Sequence, residues 1–356
     1  MMNSSYCRDD VTILLKDITG MVEPLPAQIR EKYIQSGVHY SEMLPLEYKP
    51  TDKYFDLYKE ALNEYSQITA DAVACVSEKI HEEKKHSEIT IVSLARAGTP
   101  IGILIKRYLN RKYPETKVSH YTISIIRGIG IDRNAMAYIL NRHSPQSIQF
   151  VDGWIGKGAI LNTLKKELEP YKDVSSELAV LADPAHVTRL YGTQEDFLIA
   201  SSCLNSTVSG LLSRTFLRSD IIGKDDFHGA AYYRELADED VSYEFIEAIE
   251  KKINYYDDRI SSRDYEASDG FKGIDEVKRI ADEFGIDDIN LVKPGIGETT
   301  RVLLRRIPDI ILVSDINDVH NIGHILRLAE EKNVKVMQYP LKCYKACGII
   351  RKLADT

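Results

Sequence analysis

Ser147-Ile-Gln-Phe-Val-Asp-Gly-Trp-Ile-Gly-Lys-Gly-Ala-Ile160 has the pattern of a strand, a glycine-rich loop and the start of a helix. The apolar run over residues 148–151 is long enough for one buried strand. Apolar residues return with helical spacing at Ile160, Leu161, Leu164 and Leu168. Loops of this kind commonly bind an anion, because their amides and the helix N-terminus are positive. The stretch therefore predicts a nucleotide or sugar-phosphate site.

The bulk composition limits the class of protein. The 356-residue chain is long enough for two domains, and its 44% hydrophobic and 28% charged residues are typical of a globular protein. A net charge of −8 argues against wholesale electrostatic binding to nucleic acid, although it allows a local basic face. Five cysteines, an odd number, favour a reducing compartment over a disulfide framework. Residues 1–10 are polar and no apolar run reaches membrane-spanning length, so we predict a cytoplasmic protein with no membrane partner.

The alternation of strands and helices extends outward from this stretch. A helical pattern over residues 51–85 precedes a strand over 88–94, the turn Ala95-Arg-Ala-Gly-Thr-Pro100 and a helix over 101–109. A strand over 117–126 is followed by a polar excursion to residue 145, and further strands are predicted over 177–182 and 197–200. This order predicts an α/β fold with a parallel sheet covered on both faces and ligands at the carboxyl ends of its strands.

A smaller α/β unit is predicted after a polar linker over residues 255–272. Its pattern is βαβαβ, with strands over 289–292, 310–313 and 334–339, one helix opening at residues 294–298 and another over 319–332. A last helix is predicted over 343–353. We therefore divide the chain into an N-terminal domain of residues 1–275 and a C-terminal domain of residues 285–356.

The two glycine-containing loops resemble the pyrophosphate loop and the 5-phosphoribosyl diphosphate (PRPP) loop of type I phosphoribosyltransferases. The resemblance implies that Asp152 accepts hydrogen bonds from the ribose hydroxyls, directly or through Mg²⁺. It implies that Arg96 and Mg²⁺ stabilise the charge that grows on the departing pyrophosphate. The residues around the pyrophosphate would be Ala95, Arg96, Ala97 and Gly98. Those around the 5′-phosphate would be Gly153, Trp154, Ile155, Gly156, Lys157, Gly158 and Ala159, with Lys157 either adding a cation or facing solvent.

Three further segments are candidates for substrate contacts. Arg127, Asp132 and Arg133 lie where the transferase family has a flexible lid that excludes water, and the alternative is a solvated surface loop. Residues 36–45 form either a substrate-contacting flap or a solvated connection. A run of small hydroxyl residues would bind a phosphate or nucleobase of the acceptor, or would let a helix pack closely on the sheet; its candidate site residues are Ser209, Gly210 and Arg214.

Over residues 1–275 the chain resembles the transferase half of bacterial phosphoribosyltransferase–PELOTA fusion proteins, a family associated with tellurite-resistance and stress operons. Phe150-Val-Asp-Gly-Trp-Ile-Gly-Lys-Gly158 and Ser209-Gly-Leu-Leu-Ser-Arg-Thr215 carry this match. Proteins of this kind also bear the name cysteine protease StiP. A protease of this type would need a cysteine nucleophile, for which Cys203 is the best-placed candidate, with His186 or His39 as its base.

Residues 290–351 resemble the L7Ae/pelota RNA-binding domain. Lys293-Pro-Gly-Ile-Gly-Glu-Thr-Thr-Arg301 and Lys345-Ala-Cys-Gly348 carry this match. In that family the loop before the first helix contacts RNA, so the resemblance implies surface positions for Gly297, Glu298 and Arg301. Arg305 shares a helix face with Arg301 and would add a cation for phosphates. The alternative is a protein-interaction module.

The resemblances together predict a PRPP- and Mg²⁺-dependent phosphoribosyltransferase of a stress-response pathway, with an RNA-binding C-terminal domain. Its catalytic residues would be Asp152, Arg96 and Arg127, and its acceptor would be a small molecule that the sequence does not name. The alternatives are a non-catalytic nucleotide- or RNA-sensing regulator and a cysteine protease. Nothing in the sequence fixes the oligomeric state, for which a dimer is one possibility.

Overall fold

Strands and helices alternate along most of the chain in the computed structural model, which describes residues 2–84, 88–256 and 272–351. The strands are β1 (Thr12–Ile13), β2 (Lys16–Asp17), β3 (Glu88–Leu94), β4 (Lys117–Ile123), β5 (Ile125–Ile126), β6 (Gly130–Ile131), β7 (Ile148–Trp154), β8 (Leu178–Ala182), β9 (Tyr191–Thr193), β10 (Gly229–Ala230), β11 (Val292–Pro294), β12 (Pro308–Val313), β13 (Lys335–Gln338) and β14 (Ala346–Ile350). The α-helices are α1 (Ala27–Gln35), α2 (Asp52–Lys84), α3 (Gly98–Lys112), α4 (Arg133–Leu140), α5 (Ala159–Leu168), α6 (Ser242–Glu250), α7 (Gly273–Glu283), α8 (Ile296–Arg305) and α9 (Val319–Glu331).

The central sheet is parallel, with the strand order β1-β4-β3-β7-β8-β9. Almost every residue of β3, β7 and β8 is buried, as expected for parallel strands that are covered on both faces. α2 and α3 pack on one face through residues such as Val73 and Ile103, while α4 and α5 pack on the other through Met136 and Leu164. The prediction of an α/β fold with a mainly parallel central sheet is confirmed. All the carboxyl ends of these strands reach one edge, where the connecting loops meet.

The C-terminal domain is smaller and has a mixed sheet of order β11-β14-β12-β13. β12 and β13 are parallel, whereas β14 runs antiparallel to both β11 and β12. α8 packs on β14 and on α9, and α7 packs on β11. The prediction of a smaller C-terminal α/β domain is therefore confirmed as well.

Two predicted elements are wrong. The apolar run at residues 197–200 is buried against the core without forming a strand, and it leads into the 3-10 helix Ala200–Ser202. The predicted helix over 343–353 is instead β14 within its described part, because pairing with two neighbouring strands satisfies its backbone. The predicted linker lies mainly in residues 257–271, outside the described residues, so the division between residues 275 and 285 stays a prediction. Among the described helices, none combines the length and apolar character that crossing a membrane requires.

Candidate functional site

The two predicted ligand loops touch each other at the carboxyl edge of the sheet. β3 and β7 are paired neighbours, so the turn after β3 and the end of β7 leave the sheet side by side. A Cβ atom on Gly98 would lie 2.4 Å from the carbonyl oxygen of Val151, and one on Gly153 would lie 3.3 Å from the carbonyl oxygen of Ala97. Position 98 therefore requires glycine, because any side chain would collide with the backbone of β7. The Ala95–Arg96 peptide bond in this turn is cis.

Asp152 lies at this junction and is half-buried. Its Oδ1 accepts a hydrogen bond from the Gly153 amide at 2.8 Å. Burial raises the pKa of Asp152 to about 7, and the Gly153 amide opposes that rise. A carboxyl group with a pKa near 7 exchanges protons readily at neutral pH, which is a property of functional sites.

The loop that was predicted to hold a 5′-phosphate is in contact with the C-terminal domain. Lys157 Nζ donates hydrogen bonds to the carbonyl oxygens of Ile289 and Val292, at 2.6 and 3.2 Å. The Tyr344 hydroxyl donates to the carbonyl oxygen of Gly156 at 2.5 Å. Gly158 adopts a left-handed conformation, with φ 83°, and caps α5. Lys157 therefore joins the two domains, which differs from both predicted roles.

Asp196 forms a second contact between the domains, and no sequence motif pointed to this residue. Its two carboxylate oxygens accept hydrogen bonds from the backbone amides of Ile296, at 2.9 Å, and Lys345, at 2.8 Å. Burial raises the pKa of Asp196 to about 6, although these amides oppose the rise. Because the carboxylate satisfies the first amide of α8, it fixes that helix against the N-terminal domain.

Two arginines of the N-terminal domain lie in the space between the domains. Arg96 Nη1 donates to the carbonyl oxygen of Leu212 at 2.9 Å. The Arg214 guanidinium carbon lies 4.6 Å from the ring centroid of Tyr40, which belongs to the predicted flap. Both side chains keep partial solvent access while protein surrounds them on nearly all sides, as happens for groups that line a cleft.

Two arginines of α8 interact electrostatically with them, since, in addition to burial, Arg301 lowers the pKa of Arg96 and Arg214, and Arg96 lowers that of Arg305. The Arg301 guanidinium carbon lies 5.7 Å from the ring centroid of Trp154, and its Nη1 donates to Glu298 Oε1 at 3.2 Å. Arg305 donates to the carbonyl oxygen of Cys203 at 2.8 Å and to the side-chain amide oxygen of Asn205. We call Arg96, Arg214, Arg301 and Arg305 the arginine cluster.

The arginine cluster is electrostatically strained. Burial and neighbouring guanidiniums lower the pKa of Arg214 to about 10 and that of Arg305 to about 10, and they also lower the pKa of Arg96. Arg301 contributes to all three shifts, and Arg30 is the largest charge contribution to that of Arg214, so these guanidiniums are electrostatically coupled. Arg214 and Arg305 remain protonated at neutral pH, since even a pKa near 10 leaves the cation dominant.

The residues predicted to form a lid have structural partners. Asp132 is buried and caps α4 by accepting from the Ala135 amide at 2.9 Å, and it also accepts from the His228 amide at 2.6 Å. Arg133 is exposed and pairs with Glu167 at 3.3 Å. Arg127 Nη1 donates to Asn290 Oδ1 at 2.9 Å, so it contributes to the domain interface instead. The segment that was expected to be a flexible loop is thus a β5–β6 hairpin followed by a capped helix.

Of the three residues predicted to contact the acceptor, two have structural contacts and one belongs to the arginine cluster. Ser209 donates to the carbonyl oxygen of Asn205 at 2.8 Å. Gly210 has φ 75°, and a Cβ atom there would lie 2.6 Å from the Tyr6 ring. These two residues shape a turn against the N-terminal segment, and only Arg214 reaches the arginine cluster.

The three residues predicted to contact RNA on the outer surface are turned inward. Gly297 and Glu298 line a cavity of about 20 Å³ together with Trp154 and Ser202, and that volume suits a single water-sized group. Arg301 lies over Trp154 of the N-terminal domain and keeps 32% of its side-chain surface exposed. All three residues are partly exposed, and α8 packs this face against the N-terminal domain, so contact with RNA by these residues stays a prediction.

Comparisons with known proteins cover both domains. Residues 4–250 match the family described as tellurite-like stress resistance cysteine protease StiP, and residues 271–352 match the PELOTA RNA binding domain. The protein named cysteine protease StiP of Acinetobacter baylyi (strain ATCC 33305 / BD413 / ADP1) is 33% identical over 368 residues, which cover 99% of this chain and 94% of that relative. The chain belongs to the StiP family.

Membership in the StiP family corrects the predicted function. The family description and the relative's name both specify a cysteine protease, which is a hydrolase, so the prediction of a PRPP-dependent phosphoribosyltransferase is wrong. The alternative of a non-catalytic sensor fits these names no better. The association with tellurite-type stress resistance and with a PELOTA domain is confirmed. The Mg²⁺ requirement and the cytoplasmic location stay predictions.

The family description names a cysteine protease, and among the cysteines Cys203 adjoins the arginine cluster. It follows the 3-10 helix Ala200–Ser202 and is fully buried. Burial raises the pKa of the Cys203 thiol to about 12, and the guanidiniums of Arg305 and Arg301 oppose that rise. His39, one of the two predicted bases, instead contacts the hydroxyl of Ser41 at 2.8 Å and the carbonyl oxygen of Arg127 at 3.2 Å.

Proposed function

We propose that this chain is a cysteine-dependent peptide hydrolase in which Cys203 is the nucleophile. The name of its family and that of its Acinetobacter relative support the reaction class. We choose Cys203 because Arg305 donates a hydrogen bond to its backbone carbonyl oxygen and opposes the rise of its thiol pKa. A thiolate is the attacking species, and nearby cations stabilise it.

The other four cysteines have environments that suit a nucleophile less well. Cys75 is buried within α2, and Cys347 is buried in β14, where burial raises its thiol pKa strongly. Cys7 is exposed near the N-terminus, and Cys343 precedes β14 in the C-terminal domain. Cys203 is the cysteine on which two guanidiniums of the arginine cluster act.

The buried state of Cys203 implies that the site opens before it reacts. A local opening of the chain around the Ala200–Ser202 turn, with α8 kept in place, would admit water, remove the main cause of the raised thiol pKa and leave Arg301 and Arg305 close by. The thiolate would then add to the peptide carbonyl carbon, and the departing amine would carry away the proton that the thiol released. Water would hydrolyse the thioester, giving the acid product and restoring the thiol.

Hydrolysis of a library of fluorescence-quenched peptides by the full-length protein tests this proposal. Cys203→Ala is expected to lower the cleavage rate by about 100-fold or more, since it removes the nucleophile. Cys7→Ala and Cys75→Ala are matched controls that should retain the wild-type rate. Cleavage by Cys203→Ala at the wild-type rate would overturn the assignment of the nucleophile.

We also propose that the scaffold of the N-terminal domain is of the type I phosphoribosyltransferase kind, without that reaction. The adjacent loops at residues 95–98 and 152–159 support this scaffold, as does their position at the carboxyl ends of neighbouring parallel strands. Fold and activity are separable, because different chemistries recur on one architecture.

RNA binding is a second proposed function, and the match of residues 271–352 to the PELOTA RNA binding domain favours it. With Glu298 and Arg301 turned inward, we place the contact at an outer groove lined by Arg306, Ile307, Pro308, Asp309, Lys332, Asn333, Val334 and Arg351. Its cations are exposed and can reach phosphates. We call this surface the outer groove.

A filter-retention assay with labelled RNA at several salt concentrations separates the two surfaces. Lys332→Glu is expected to weaken retention and reduce its dependence on salt, because a phosphate contact is lost. Arg301→Glu should have little direct effect on RNA. Loss of retention with Arg301→Glu alone would move the RNA site back to the cleft between the domains.

A further inference from the structure

The arginine cluster contains more cations than the protein neutralises. Glu298 pairs with Arg301 at 3.2 Å, and Glu47 acts on Arg96 and Arg305 from a greater distance. Among the described residues, no carboxylate lies within ion-pair distance of Arg96, Arg214 or Arg305, whose contacts are a carbonyl oxygen, an aromatic ring, and a carbonyl with an amide oxygen.

This imbalance is costly to the folded protein. A guanidinium keeps its proton at neutral pH, so it cannot avoid the cost of desolvation by becoming neutral. Taking such a cation out of water is unfavourable unless an anion replaces the lost solvation, and neighbouring guanidiniums repel one another as well. Backbone carbonyls and aromatic faces compensate only in part. A cluster of this kind is therefore poised to bind an anion.

The origin of the four side chains shows what the anion would contact. Arg96 and Arg214 come from the N-terminal domain, and Arg301 and Arg305 come from α8 of the C-terminal domain. Arg305 also contacts the backbone of Cys203, so an anion held here lies beside the proposed nucleophile. Guanidinium forks match carboxylates in a bidentate geometry, which gives specificity as well as affinity.

We propose that the arginine cluster selects acidic peptide segments, with carboxylate side chains of the substrate bridging the two domains next to Cys203. This inference rests on the proposed hydrolase function. It makes Arg96, Arg214, Arg301 and Arg305 specificity-determining residues, and it gives the inward face of α8 a role in the reaction of the N-terminal domain.

Binding and cleavage are measured separately, so that the two proposals can fail independently. Full-length Cys203→Ala protein is titrated with a fluorescein-labelled peptide that contains adjacent glutamates and with the matched glutamine peptide. The glutamate peptide is expected to bind about 10-fold more tightly or better, and less tightly as salt is added. Equal binding of the two peptides, or tighter binding of inorganic pyrophosphate than of the glutamate peptide, would overturn the inference.

Matched variants in the same background locate the site. Arg214→Gln is the most informative change because Arg214 contacts the Tyr40 ring, so the variant breaks no hydrogen bond described above. Arg96→Gln is the second variant. Each should reduce glutamate-peptide binding to the glutamine-peptide level, whereas Arg351→Gln in the outer groove should not, with thermal unfolding confirming that all three fold. Unchanged binding by both cluster variants would also overturn the inference. If the acidic peptide binds but the wild-type protein cleaves no peptide, the hydrolase proposal is contradicted. If the wild-type protein cleaves the glutamate and glutamine peptides equally, only the inference of acidic-peptide selection is contradicted.

Discussion

The arginine cluster and the outer groove are both basic, yet they differ in what surrounds their charges. In the cluster, cations from two domains are only partly exposed to solvent, and none of Arg96, Arg214 and Arg305 has a carboxylate partner among the described residues. In the outer groove, Arg351 is 60% exposed at its side chain and lies 3.6 Å from Asp309. Water and salt screen the exposed cations, while the cations of the cluster remain strongly interacting. The contrast indicates that the arginine cluster binds a specific anion and that the outer groove binds phosphates weakly and with little specificity.

The largest stability effect is expected at Asp152, a half-buried carboxylate that has no cation partner among the described residues. Its pKa of about 7 in the folded protein lies above the ordinary value of 3.8, so its stabilising contribution is complete below pH 3.8 and is lost as pH rises through 7. Asp152→Asn keeps the acceptor for the Gly153 amide and should stabilise the protein at pH 8 by roughly 1–3 kcal/mol.

Chemical denaturation of wild type and Asp152→Asn at several pH values measures this difference. The advantage of the asparagine variant should shrink as pH falls below 7 and vanish near pH 4. A difference that is constant across this range would show that the carboxylate of Asp152 does not titrate as its burial implies.

A smaller change in the free energy of unfolding is expected when one arginine is replaced in the arginine cluster or in the outer groove. Arg214→Met should raise the free energy of unfolding by about 1 kcal/mol, because it removes a buried charge that has no paired anion. Arg351→Met should change it by less than about 0.5 kcal/mol, as is usual for exposed side chains. Thermal unfolding at low salt without ligand compares them, and destabilisation by Arg214→Met would mean that the cluster is already compensated within the protein.

Local patterns predicted the elements of the central sheet well. The helical spacing found after the glycine-rich loop corresponds to α5, because Leu161, Leu164 and Leu168 define one buried face, Ile160 is partly buried beside them and Gly158 caps the helix. The run at residues 197–200 was assigned to a strand incorrectly, because burial against α2 and strand pairing give the same apolar signature. Cys343 and Cys347 have helical spacing, but strand pairing determines the structure of residues 346–350.

The candidate site depended on contacts that a sequence pattern does not contain. Arg305 and Cys203 are separated by 102 residues along the chain, and Asp196 and Lys345 by 149. Which face of α8 turns inward follows from the docking of the two domains, so Arg301 was predicted on the surface and lies in the cleft. The two glycine-containing loops lie side by side, yet the activity that their resemblance implied was wrong for this family.

Covalent labelling of the full-length protein tests the central claim most directly, namely that Cys203 reacts beside an arginine cluster supplied by both domains. A peptide vinyl sulfone with adjacent glutamates is incubated with wild type and Arg214→Gln, and the modified cysteine is identified by mass spectrometry. We expect labelling at Cys203, about 10-fold slower in Arg214→Gln, and slower with the glutamine analogue of the probe. Labelling confined to the exposed Cys7, or labelling of Cys203 at the same rate by both probes, would contradict the account.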